Sequence, residues 1–154
     1  MSRFFRIATA AAALALPLLA GSGKSLAQAA PQPSDAEVQA RASALEVAGA
    51  FSNDGFKIRD GHWCGAISPG NARIIQVNLY AGNQYWFIAA AGSEAKRIVV
   101  NVYDETGAPV VTEPYENQAQ SAAGFSPLAS GPYYVRVEEA EGGPSTFCLL
   151  YSYK

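Results

Sequence analysis

The stretch GHWCGA (61–66) holds the only His of the 154-residue chain, one of its two Trp and one of its two Cys. Such residues serve a Cys–His nucleophile, a metal centre or a disulfide. Two apart on a strand, His62 and Cys64 face the same way with Cβ atoms about 7 Å apart. Proton transfer needs heavy atoms about 2.6–3.2 Å apart, so this pair is poorly placed for direct catalysis. A zinc site would draw on His62, Cys64 and Cys148, but there is no CxxC and no second His to give the usual spacing. A Cys64–Cys148 disulfide is the favoured reading. No GxSxG occurs, so a serine hydrolase site has no nucleophile turn. We expect no catalytic set, no metal ligands and no cofactor.

Two other constellations carry chemistry. DETG places Asp104 and Glu105 in a turn, where β-sandwich loops often hold Ca²⁺. Two acids fall short of the roughly six to eight oxygen ligands calcium takes, and Asp and Gly are ordinary hairpin residues. The aromatic residues are more open. The chain has eight Tyr, two Trp and seven Phe. Tyr80, Trp86, Tyr103 and Tyr134 fall out of phase with the apolar strand positions. They form a candidate exposed platform for a sugar or peptide, with burial beneath the helix and a long loop as the alternative.

The elements that must position these residues divide at Phe56. Before it, Ser34 and Glu37 fit a capping box and Asp35 suits a helix N-terminus. Val38, Ala42, Leu45, Ala48 and Phe51 then recur at helical spacing, which predicts one amphipathic helix ending at SNDG (52–55). After Phe56 the pattern is about eight short strands separated by turn residues, which predicts an antiparallel β-sandwich. Asp60-Gly61 reads as a hairpin turn pairing Arg59 with His62, Ile58 with Trp63 and Lys57 with Cys64. Residues 110–112 read as a short strand, and the polar, Ala-rich 113–124 as a long crossing loop. Alternation puts Ile75, Val77 and Leu79 on one inner face. Tyr85, Phe87 and Ala89 form another such set, as do Tyr133, Val135 and Val137, and Phe147, Leu149, Tyr151 and Tyr153. Cys64 and Cys148 both point away from these sets, so the bridge is expected on the outer side of one sheet, beneath the helix.

The first 29 residues stand apart. MSRFFR and the 14-residue run IATAAAALALPLLA precede Ala27 and Ala29, which suit a signal peptidase. The segment reads as a Sec-type secretory signal peptide cleaved after Ala29, with 30–34 a flexible lead and 35–154 one domain. The run is too short for a membrane-spanning helix. There is no twin-arginine pair and no Cys near the cleavage point to carry a lipid anchor. Arg3, Arg6 and Lys24 leave with that segment, so the 11 Lys+Arg fall to eight against 13 Asp+Glu, a net charge of −5. That charge argues against nucleic acid and anionic membrane surfaces as partners. The signal peptide implies a periplasmic or extracellular protein, where a disulfide is stable.

VNLYAGNQYWFIAAAG, VNVYDETGAPV and AAGFSPLASGPYYVRVE together resemble the bacterial pre-peptidase C-terminal domain, over roughly residues 67–153. The resemblance implies a jelly-roll-like β-sandwich, itself non-catalytic, that assists secretion, localisation or substrate contact of secreted peptidases. This chain differs in its N-terminal helix, its Cys pair and the lack of a peptidase domain. The expectation is an exported, non-catalytic binding module for a protein, peptide or envelope glycan. A small secreted enzyme or inhibitor, or a structural envelope subunit, stands as the alternative.

Overall fold

The Ser34 hydroxyl accepts from the Glu37 backbone N–H, and the Glu37 carboxylate accepts from the Ser34 N–H. This capping box starts α1 (Asp35–Ser52) where the sequence places it. The computed structural model describes residues 32–154. The signal peptide and the start of the lead lie outside the described residues.

Nine strands follow, in two antiparallel sheets packed as a sandwich with α1 on one outer face. The first sheet has six strands: β1 (Lys57–Ile58), β2 (Trp63–Ile67), β4 (Tyr85–Ala91), β6 (Glu113–Asn117), β7 (Gln120–Phe125) and β9 (Ser145–Tyr153). Its order is β1-β9-β4-β7-β6, with β2 also on β9. The second sheet is β3 (Arg73–Leu79), β8 (Gly131–Gly142) and β5 (Ala95–Tyr103), in the order β3-β8-β5. The core between the sheets is built from the alternating positions expected: Val77 and Leu79, Tyr85, Phe87 and Ala89, Tyr133, Val135 and Val137, and Phe147, Leu149 and Tyr151. Ile75 packs against it from the side, whereas Tyr153 is 38% exposed.

Three local expectations are corrected. First, Asp60-Gly61 makes no hairpin. β1 and β2 lie end to end along the same side of β9, with Ile58 opposite Ser152 and Trp63 opposite Leu149. Between these pairs four residues on one strand face two on the other, so Asp60, Gly61 and His62 bulge outward. Gly61 adopts φ 103°, a conformation that serves a bulge as well as a turn. Pairing both halves with β9 joins them to a large sheet instead of leaving an isolated two-stranded ribbon, which is marginal in water.

Second, 113–124 is no loop. It forms the β6–β7 hairpin, with Asn117 opposite Gln120 and Gln118 at φ 53°. Residues 110–112 form no strand; an isolated bridge joins Tyr103 to Pro109. Third, the helix is rotated from its expected stripe. Ala40, Ala44, Val47 and Ala48 are buried and Phe51 is partly buried, while Val38 is 52% and Leu45 37% exposed. Small alanines let the helix lie close to the sheet, over Ile88, Ala90, Ala122 and Leu150. Val38 and Leu45 on that face would hold it away.

The Cys64–Cys148 disulfide forms between directly opposed residues of β2 and β9, with Cα atoms 4.1 Å apart. It lies under the first turns of α1, with Cys148 Sγ 3.4 Å from the Glu37 carbonyl oxygen. Both cysteines are used in it, so Cys64 carries no thiol to serve as nucleophile or metal ligand.

One inner position breaks the apolar pattern. β8 continues from Tyr133, Val135 and Val137 to Glu139, which is 1% exposed. Neither carboxylate oxygen has a hydrogen-bond partner. Burial pushes this carboxyl above its ordinary pKa, because the charged form loses its hydration and gains nothing in return.

Candidate functional site

On one side the two sheets are joined. The Ile98 N–H donates to the Gln118 carbonyl, the Val100 N–H donates to the Ser121 hydroxyl, and Arg97 pairs with Glu116 at 3.1 Å. On the other side the edge strand β3 faces the β1–β2 edge across a groove. Two cavities of about 330 and 380 Å³ share Arg59, Asn78 and Tyr151 and form its upper and lower halves.

The upper half is a tyrosine cage. Tyr80 and Asn83 come from the β3–β4 turn, Tyr85 from the start of β4, and Tyr151 and Tyr153 from the end of β9. The Tyr85 hydroxyl accepts from the Tyr80 N–H at 3.0 Å and from Asn83 Nδ2 at 3.1 Å, which fixes the turn. Tyr80 is thereby held with 63% of its surface exposed. In the lower half the β1–β2 bulge brings Asp60, Gly61 and His62 beside Trp63, opposite Gln76 and Val77 of β3. The expected turn is therefore a groove wall.

Tyr151 forms the floor. It is buried, it stacks on Trp63 with ring centroids 6.1 Å apart, and it packs against Tyr85 and Phe87. Arg59 Nη1 donates to its hydroxyl, and the guanidinium lies 5.5 Å from the ring centroid. Burial pushes the phenol above its ordinary pKa, and the bond and charge of Arg59 oppose this to a lesser degree. The floor is thus a neutral phenol that orients a cation. The groove offers flat amphipathic rings, amides and one guanidinium: groups that hold a polar ligand with apolar faces.

The four aromatic residues expected as one platform are distributed over three places. Tyr80 is in the groove. Trp86 belongs to the helix–sheet layer, stacked on Phe51 with centroids 4.2 Å apart. Tyr103 and Tyr134 are opposed on β5 and β8, on the outer face of the three-stranded sheet, where Tyr134 also faces the groove residue Gln76. Beside them Arg136 pairs with Glu138. The hydrogen bond to that carboxylate raises the Arg136 pKa, and the Glu138 charge and Tyr103 add to the effect.

Asp104 is engaged within its own turn. Its Oδ1 accepts from the Thr106 hydroxyl at 2.7 Å and from the Thr106 and Ala108 N–H groups, and these bonds lower its pKa, the Thr106 hydroxyl foremost. A larger cavity of about 760 Å³, bordered by Ile67, Asn71, Ser93 and Thr146, has no aromatic lining, and its Arg73 is committed to the Ala66 carbonyl.

Sequence reading missed Arg59, Asn78, Asn83 and the inward tyrosines as site residues. A signal was present. Tyr85, Tyr151 and Tyr153 occupy core-phase positions at strand ends, where a hydroxyl in place of a Phe edge marks a ring whose tip takes a polar partner. No protein-family model matches this chain, and none of the curated proteins matches it.

Proposed function

We propose that the protein is a non-catalytic binding module of the cell exterior or periplasm, and that the tyrosine-lined groove takes an envelope glycan. The observation that carries this reading is the groove itself: the exposed rings of Tyr80 and Tyr153 beside Asn83, above the buried Tyr151. Sugar rings present C–H faces that pack on aromatic rings and hydroxyls that pair with amides and phenols. A peptide groove would need apolar anchor pockets, and here the lining is Tyr, Asn and Arg instead of Leu, Ile or Met.

Export is supported by the disulfide and by the signal-like sequence of residues 1–29. No helix among the described residues is long and apolar enough to cross a membrane. The likeness to pre-peptidase C-terminal domains agrees with a β-sandwich module that delivers or anchors rather than catalyses.

The test is a glycan array probed with the chain lacking residues 1–29, beside its Tyr80→Ala variant. Binding that Tyr80→Ala weakens at least tenfold supports the reading. Absence of binding to every glycan, or binding indifferent to Tyr80, refutes it. A second reading, in which another chain adds a strand to β3, is favoured by one observation: β3 pairs on one side only, with β8. A strictly monomeric protein with no peptide-dependent chemical shift changes along β3 would oppose it.

A further inference from the structure

We infer that the sugar recognised is an acidic one, a uronic acid whose carboxylate sits on Arg59. This rests on the groove being a glycan site and goes beyond it to the ligand's charge. Arg59 belongs to both halves of the groove. Among the described residues it makes no ion pair, although Asp60 is its neighbour in sequence. Its one side-chain hydrogen bond goes through Nη1 to the Tyr151 hydroxyl. A guanidinium has five N–H donors, so four remain for a ligand.

The orientation of Arg59 is set by a residue that is itself fixed. Tyr151 is 3% exposed and packed between Trp63, Tyr85 and Phe87. A planar fork held over an aromatic floor matches a carboxylate in two-point contact, which a lysine does not reproduce. The remaining groups suit the rest of a pyranose. Tyr80 offers an exposed ring, and the Asn83 carbonyl stays free while its Nδ2 bonds Tyr85. In the lower half Asp60 carries the opposite charge, so a second carboxylate there is repelled. The groove therefore prefers one acid at the Arg59 position followed by an uncharged unit.

The experiment is titration calorimetry with the methyl glycosides of galacturonate, glucuronate and mannuronate, which carry one acid each, beside their methyl esters, which keep the shape and remove the charge. At least one acid should bind wild-type protein tenfold or more tightly than its ester. Arg59→Gln should remove the preference for that acid over its ester, and Arg59→Lys should recover only part of the loss. Esters or neutral glycans that bind as tightly as the acids overturn this inference and leave the glycan reading standing. Failure of acids, esters and neutral glycans alike overturns both. The comparison of acid with ester uses wild-type protein, so a folding defect in the variants does not obscure the result.

Discussion

Replacing Glu139 should stabilise the protein, and by an amount that grows with pH. In the folded chain both carboxylate oxygens are buried without partners, and burial raises the pKa; in the unfolded chain the group ionises near its ordinary value of 4.5. Between those two pKa values the native state holds a proton that the unfolded state has released. The contribution of this group to stability is therefore fully present below about pH 4.5 and is lost as pH rises, by at most about 1.4 kcal/mol per pH unit, until the native pKa is reached. Above it the loss is constant. Glu139→Gln keeps the shape and removes the ionisation, so the stability of the variant minus that of wild type should rise with this slope and then level off at the native pKa. Glu139→Met also removes the unpaired polar atoms, worth on the order of 1–3 kcal/mol at any pH. Urea unfolding of the three proteins from pH 4.5 to 8 provides the measurement, with unchanged m-values as the check that only stability has moved. Parallel curves for wild type and Glu139→Gln would show that the carboxylate finds solvent or a partner in solution, and would refute the reasoning.

Three further outcomes are expected. Replacing both Cys64 and Cys148 with Ala removes a link across 84 residues, worth about 4.5 kcal/mol in the chain-entropy model, readable as a lower urea midpoint; thiol titration of the unreduced, denatured wild type should find no free thiol. Gly124→Ala places a Cβ 2.9 Å from Trp86 Cζ2, and Phe51 stacked on Trp86 keeps the ring from retreating. That overpacking should cost about 1–3 kcal/mol and alter the near-ultraviolet circular dichroism of the indole. Ser34→Ala removes the helix cap and should cost about 1 kcal/mol, with hydrogen exchange quickening first at the α1 N-terminus.

The parts of the fold legible in the sequence are those that one element decides alone. The capping box of Ser34 and Glu37 is a local contact, and the alternation of Val77 with Leu79, or of Tyr133 with Val137, has a single burial solution. The pairing of Cys64 with Cys148 follows because the chain has no other cysteine. Legibility ended where a partner decides. Asp60-Gly61 has the composition of a hairpin, but β9 supplied a better partner to both flanks. β7 is mostly small side chains whose own β preference is weak, and its pairing with β4 and β6 determines its form. The stripe on α1 was misread because alanine served as the packing residue while valine and leucine stayed outside. The groove was the least legible feature: Arg59, Tyr80 and Tyr151 are far apart along the chain and meet only through the register of β1 and β4 on β9.

β9 also sets the order in which the molecule is able to assemble. It lies between β4 on one side and β1 with β2 on the other, so three strands made early have no neighbour there until a much later one emerges. The Cys64–Cys148 link waits for the same strand, because it joins β2 to β9. The first half of this chain is thus a waiting half. Until β9 docks, β1, β2 and β4 each present an open edge of the kind that pairs with another copy.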